Sequence, residues 1–278
     1  MKYFSASYRD FVRFDVKPNE DYRLTSKKFP VFAVADGVTQ SHYPNGRYAL
    51  PYGAKEAARI FCHATVQYLE KNYSLIRANK RIEKLIGEAF DIANQKIKAL
   101  NEKHGIQKRM DYKEHDWFDT VGVVGVVINS TLHYGFVGDC GLAIFDARNK
   151  KIFQTKDMVR PAIKRFEKMF PDHLQFERLK HQFIIRKDFR NNPDKNGYGS
   201  FTGQPEVQNY YAFGIKKLHK GDMMILYSDG FFELLKNEEF IKILRKQDKK
   251  QLDRFVMKKA KENHKQYGDD RTFISVVF

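Results

Sequence analysis

The sequence predicts an α+β domain in which runs of antiparallel strands are interrupted by paired helices. Three observations lead there: β-rich stretches follow one another between residues 120 and 145, two amphipathic helical stretches precede them, and a second helical pair comes before a final strand.

The elements follow in chain order. Phe29 to Ala35 (FPVFAVA) is a short apolar run stopped by Asp36-Gly37, which reads as a buried strand ending in a turn. From Gly53 to Tyr73, Ala57, Ile60, Phe61, Ala64, Tyr68 and Leu69 recur at intervals of three and four, the period of an amphipathic helix. A second helix carries Ile82, Leu85, Ile86, Ala89, Phe90, Ala93, Ile97 and Leu100 on one face and should end near Gly105. Thr120 to Ile128, Leu132 to Val137 and Leu142 to Phe145, separated by Asn129-Ser130 and by Gly138-Asp139-Cys140-Gly141, form an antiparallel meander. In residues 157–210 a helix around Val159 to Met169 gives way to a polar stretch, Asn191 to Gly197, that reads as an exposed loop. This part is expected to be a mobile insertion or flap that shapes access to the site. Met223 to Tyr227 is another strand, ending in Ser228-Asp229-Gly230; helices occupy about 237–265, and Thr272 to Phe278 closes the chain as a strand. Residues 1–278 are expected to form one domain.

Composition supports a packed core, with 42% hydrophobic and 14% aromatic residues in 278. The longest apolar run, Val121 to Ile128, is far short of the about 20 residues that a membrane helix needs. Met1 to Ser5 does not begin a charged and then apolar leader, so a cytoplasmic location is expected. Cys62 and Cys140 have no Cys or His at ligand spacing, and Cys62 falls in the middle of a predicted helix, so disulfide, zinc and thiol-nucleophile chemistry are not indicated. The net charge of +16 would attract polyanions. Its basic residues are spread along the chain without a compact Arg/aromatic stripe, which ranks nucleic acid last among partners and leaves a lysine-rich solvated surface as the plain reading. A monomer is the default.

The chemistry lies in the acidic residues. Asp36, Asp139, Asp229 and the pair Asp269-Asp270 each sit where a predicted strand or tight turn ends. Gathered by a folded sheet, such carboxylates repel one another unless a cation neutralises them. Oxygen-only ligands point to Mg²⁺ or Mn²⁺ rather than zinc. Asp-Gly is a common turn dipeptide, so any one of these residues alone reads as a turn or cap. The ordered set carries the argument.

That set is Asn19-Glu20-Asp21, FAVADG (32–37), DTVGVVGVV (119–127) with LHYGFVGD (132–139), GDMMILYSDG (221–230) and DDRT (269–272) before a final strand. It resembles the motif order of the metal-dependent PP2C protein serine/threonine phosphatases, in particular the bacterial members, over nearly the whole chain. The resemblance implies a four-layer αββα sandwich, two antiparallel sheets flanked by helix pairs, with metals at one end. It implies that Asp36 bridges two metals, that the Gly37 carbonyl binds one, and that Asp229 and Asp269 complete the other. Glu20 and Asp21 would hold metal-bound waters, while Asp139 and Glu233 look like ligands of a third, weaker site. Asp269 rather than Asp270 matches the ligand, three residues before Thr272. The implied reaction is hydrolysis of phosphoserine or phosphothreonine by a hydroxide bridging two ions. The substrate would be a phosphorylated protein, paired with a Ser/Thr kinase.

The chain departs from the family pattern in places. Val16 stands where an arginine usually grips the substrate phosphate; Arg13 or Lys17 could replace it, although on a strand Lys17 would point to the opposite face from Val16. Val38 replaces the histidine found after Asp-Gly in eukaryotic members, and His42 is near enough to be weighed as a proton donor, with a surface-loop role the plainer reading. Asp119 stands where the family usually has glycine. Trp117 reads as a core or rim aromatic, and His63, His133 and His219 as ordinary histidines. Two alternatives stay open: a non-catalytic phosphoprotein-binding scaffold on the same fold, and a phosphatase of a small phosphate metabolite.

Overall fold

A computed structural model describes residues 3–12, 17–38, 52–78, 81–113 and 115–278. The first part of the chain forms β1 (Tyr3–Tyr8), β2 (Tyr22–Thr25), β3 (Val31–Gly37), α1 (Gly53–Lys71), α2 (Tyr73–Arg77), α3 (Ile82–Lys103) and α4 (Ile106–Arg109). Next come β4 (Thr120–Ile128), β5 (Thr131–Val137), β6 (Gly141–Phe145), β7 (Lys151–Gln154), α5 (Arg160–Met169) and α6 (Arg178–Ile184). The chain ends with β8 (Ala212–Lys217), β9 (Met223–Tyr227), α7 (Glu238–Lys246), α8 (Lys249–Glu262), α9 (His264–Tyr267) and β10 (Arg271–Val277).

Every residue of β4 is buried, so the strand is covered on both faces. The reason is that two five-stranded antiparallel sheets stack, in the orders β2-β3-β4-β5-β8 and β1-β10-β9-β6-β7, with helices on each outer face. Side-chain alternation along β3 shows the layering directly. Val31, Ala33 and Ala35 pack with Ala57, Phe61, Phe90 and Ala93 of α1 and α3, whereas Phe32 and Val34 face Leu226 and Ile274 of the other sheet. On the far side Phe145, Ile225 and Phe273 meet Phe240, Leu244 and Val256 of α7 and α8. This is the expected four-layer αββα sandwich.

Four strands were not singled out in the sequence: β1, β2, β7 and β8. All four are sheet edges. An edge strand pairs on one side and is partly open to solvent, so it needs no continuous apolar run, and none of the four is more than partly buried along its length.

Residues 157–210 contain α5, α6 and a π-helical turn, Ile185–Phe189, around a small core of Ala162, Phe166, Ile184, Phe189 and Tyr198. The polar stretch is exposed only at Pro193 to Asn196. Asn191, read as part of that loop, is buried because its amide donates to Ser200 O (2.9 Å), Thr202 Oγ1 (3.1 Å) and Gln204 Oε1 (3.1 Å). No described helix is long and apolar enough to cross a membrane.

Asn101 ties α3 to the approach to β4. Its amide donates to Phe118 O (2.9 Å) and Thr202 O (3.0 Å), and its Oδ1 accepts from Phe118 N (2.9 Å), all in the interior. Asn101→Ala strands these backbone groups without partners, and a loss of about 2–3 kcal/mol in unfolding free energy is expected. Urea titration followed by circular dichroism measures it; an unchanged midpoint would contradict this role.

Candidate metal centre

The layering brings one end of each sheet to the same place. Asp36 is the penultimate residue of β3, Asp139 lies in the turn into β6, Asp229 opens the 3₁₀ turn after β9, and Asp269 and Asp270 lead into β10. Two glycines permit the closeness. A Cβ on Gly37 would lie 2.6 Å from Ala54 O and 2.7 Å from Glu20 O, and one on Gly230 would lie 2.1 Å from Asp270 O. At each position a larger residue would push apart the segments that carry the carboxylates.

Asp36, Asp139, Asp229, Asp269 and Asp270 line one cavity of about 230 Å³. Lys17 is the cation in its wall among the described residues, and Val38, Val121, Val159, Ile163, Ile185 and Tyr198 form an apolar side. Burial is the first cause that raises the carboxyl pKa values here, and neighbouring carboxylates add to it. Asp36 is pushed well above the usual carboxylate range by burial and then by Asp21, Asp229 and Asp139. Asp139 is raised by burial and then by Asp229 and Asp157. Asp229 rises to about 6 through burial and Asp269, and a hydrogen bond shared with Asp36 offsets part of the rise.

The remaining predicted residues are placed unequally. Asp21 is buried and is not among the residues that line the cavity; its Oδ2 accepts from Ser228 Oγ (2.7 Å), and its Oδ1 has no partner among the described residues. The buried Glu20 accepts from Lys17 Nζ (3.0 Å), and its backbone N–H donates to Asp270 Oδ2 (3.0 Å). Gly37 pairs with Thr120 at the end of β3 and is not among the lining residues. Glu233 stands outside the cavity, its carboxylate held by Lys236 (2.5 Å) and Gln266 (3.3 Å). Lys17 precedes β2 in a bend rather than lying on a strand, so the alternation that would have turned it from the site does not apply. Arg13, Val16 and His42 fall outside the described residues.

The geometry separates Asp269 from Asp270. Asp270 is buried with both oxygens engaged: Oδ1 accepts from Asp10 N (2.6 Å), and Oδ2 from Glu20 N and Lys17 Nζ (2.9 Å). The Asp269 side chain is 59% exposed and faces the cavity, with Lys17 3.9 Å away. It is the carboxylate of the pair that can turn to an ion.

Among the described residues, no three His, Cys, Asp or Glu side chains form a finished cage for an ion. The crowding is electrostatic: the acids share a cavity and perturb one another without converging on a point, as mutual repulsion dictates. A wholly carboxylate donor set, an orphaned oxygen on buried Asp21 and an excess of acids over the single Lys17 ammonium fit a hard divalent cation. Sequence motifs carried no signal for the apolar side of the cavity, because Val159, Ile163, Ile185 and Tyr198 are ordinary residues brought there by residues 157–210.

Replacing Asp36 by Asn removes both a candidate ligand and a crowded charge. Without added metal, Asp36→Asn should melt at or above the wild-type temperature. Mn²⁺ at a hundred times its Kd should stabilise the wild type by about 2.7 kcal/mol, a rise of roughly 5 °C, and leave the variant unmoved. Equal Mn²⁺ shifts in the two proteins, read by scanning calorimetry, would count against a metal at Asp36.

No protein-family model matches the chain, and no curated protein does. Solved structures do. The catalytic domain of the serine/threonine protein phosphatase PstP in complex with two manganese ions superposes with a TM-score of 0.60 at 16% identity, covering 99% of this chain and 96% of that one. A bacterial serine phosphatase gives 0.63 at 17%, covering 100% and 97%. The serine/threonine phosphatase Stp1 from Staphylococcus aureus gives 0.60 at 18%, covering 100% and 95%. Over its whole length, the chain has the fold of the bacterial PP2C-type serine/threonine phosphatases.

Proposed function

We propose that the chain is a metal-dependent protein serine/threonine phosphatase of the PP2C type, using two Mn²⁺ or Mg²⁺ ions. The observation that carries this reading is the meeting of Asp36, Asp139, Asp229 and Asp269, from four separate strand ends, on one cavity. In this reading Asp36, the Gly37 carbonyl, Asp229 and Asp269 would hold the two ions. Asp139 suits a third, weaker ion; Glu233 is left out, since Lys236 and Gln266 hold it elsewhere. When bound, the ions would lower the pKa of the water they hold and offset the charge of the phosphoryl oxygens.

The chain's own groups do the rest. The Oδ1 of Asp21 would accept a hydrogen bond from a water held at the site, and Ser228 fixes its other oxygen. Lys17, braced by Glu20 and Asp270, presents positive charge at the cavity wall, where a phosphate would lie. The apolar side limits water around the phosphoester. Hydrolysis needs no covalent phosphoenzyme here, and Cys62 and Cys140 are buried with thiols pushed well up by that burial, which keeps them from acting as nucleophiles. The proposed substrate is a phosphoserine or phosphothreonine protein in the cytoplasm, made by a Ser/Thr kinase and met by a monomer.

With Mn²⁺, purified protein should release phosphate from a phosphothreonine peptide and stop when EDTA is added. Asp36→Asn and Asp229→Asn should each lower kcat/KM at least about a hundredfold, or roughly 2.7 kcal/mol of transition-state stabilisation. Tight phosphopeptide binding without turnover, insensitive to chelation, would instead establish the scaffold reading. Turnover confined to small phosphate esters would establish a metabolite phosphatase.

A further inference from the structure

Helix α8 carries six basic residues against two acidic ones, and the basic residues keep to one side of it. Leu252, Phe255 and Val256 form its inner face, packed with Phe240 of α7 and Phe273 of β10. Lys250, Arg254, Met257 and Lys261 follow one another at intervals of four, three and four and are all exposed, so they make a single outward stripe, with Lys258 along its edge. Arg254, Met257, Lys258, Lys261 and Glu262 line a groove of about 560 Å³ on this face. Met257 is 41% exposed among these cations.

Several lysines of the other outer helices are answered by an acid four residues away. Lys84 lies 3.6 Å from Glu88 and Lys98 3.9 Å from Glu102 on α3, and Lys242 lies 3.2 Å from Glu238 on α7. On α8 both acids are already engaged. Asp253 accepts from the Tyr8 hydroxyl (2.6 Å) and pairs with Lys249, while Glu262 pairs with Lys259 (2.8 Å) and more distantly with Lys258 (3.9 Å). Among the described residues, Lys250, Arg254 and Lys261 form no ion pair. Like charges one turn apart on a helix repel one another, and an anion supplied from outside the chain relieves that repulsion.

We propose that the outer face of α8 docks an extended acidic segment of a partner protein, with carboxylates at alternate positions. From Lys250 to Lys261 the stripe runs about 16 Å, the length of roughly five residues of extended chain. Cations one turn apart are separated by about 6 Å along the helix, close to the roughly 6.7 Å between alternate side chains on one side of an extended peptide. Successive carboxylates thus meet Lys250, Arg254 and then Lys258 or Lys261, with Met257 as an apolar contact between them. Two other polyanions fit less well. The stripe has no aromatic side chain on which a nucleic-acid base could stack. The apolar face of α8 is spent on the core, which leaves Met257 alone to enter a bilayer. The stripe shares no residue with the metal cavity, and the proposal does not rest on the phosphatase reading.

Fluorescence anisotropy at low salt, with a labelled peptide of alternating Glu and Thr about eight residues long, tests it. Wild type should bind this peptide, and the affinity should fall as NaCl is raised. Arg254→Glu/Lys258→Glu/Lys261→Glu should weaken binding at least about tenfold, and the milder Arg254→Gln/Lys258→Gln/Lys261→Gln at least about threefold. The milder set decides the matter if circular dichroism shows that the charge-reversed protein is unfolded. Lys96→Glu/Lys103→Glu/Lys108→Glu, which changes net charge by the same amount at exposed positions of α3 and α4, should bind within about twofold of wild type. Equal losses in the α8 and control variants overturn the site, because net charge alone would then account for binding. No binding by wild type at about 0.5 mM protein overturns it as well. The same variants are titrated with a short DNA duplex and with vesicles of equimolar phosphatidylserine and phosphatidylcholine. Loss of duplex or vesicle binding in the α8 variants, with peptide binding unchanged, overturns the peptide and gives the face to that polyanion.

Discussion

Gathering carboxylates at one buried end of a sandwich is electrostatically costly, and much of the local structure answers that cost. Charge that is taken from water must be neutralised, hydrogen-bonded or protonated. The chain uses the first two. Lys17 neutralises Glu20 and Asp270, and Ser228 and backbone N–H groups satisfy oxygens of Asp21 and Asp270. The charge left over, on Asp36, Asp139, Asp229 and Asp269, faces the cavity, which is where divalent cations would contribute most.

The fold makes this arrangement possible by separating two tasks. Helices α1, α3, α7 and α8 supply apolar cover on the outer faces, and the sheet interior is sealed by residues such as Phe32, Leu226 and Ile274. Strand ends are then free to carry polar residues, since their side chains extend beyond the packed layers. The insertion adds a third task. It covers one side of the cavity with aliphatic and aromatic groups and is tied down through buried ion pairs rather than by a large core of its own.

Much of this was legible in the sequence, and the gaps have physical causes. Central strands such as β4 and β9 announce themselves because burial on both faces demands an unbroken apolar run, as in Thr120 to Ile128. Edge strands do not, which is why β1, β2, β7 and β8 escaped notice. Aspartates at strand ends were visible as an ordered set, yet their relative roles were not: both oxygens of Asp270 are taken up by Asp10, Glu20 and Lys17, none of which adjoins it in sequence. Asp119 was visible as an oddity, and its partner Arg190 lies some seventy positions away, at the end of a turn whose sequence gives no periodic signal.

The central claim is that two cations are shared through the Asp36 carboxylate. Crystals grown with Mn²⁺ and measured at the manganese absorption edge test it most directly, because anomalous scattering locates each ion independently of the protein density. The account predicts two peaks flanking the Asp36 carboxylate, with Asp229 and Asp269 oxygens at roughly 2.0–2.3 Å from one of them, the range for small hard cations. Peaks only elsewhere on the molecule, or an ion in the cavity that Asp36 does not touch, would contradict it.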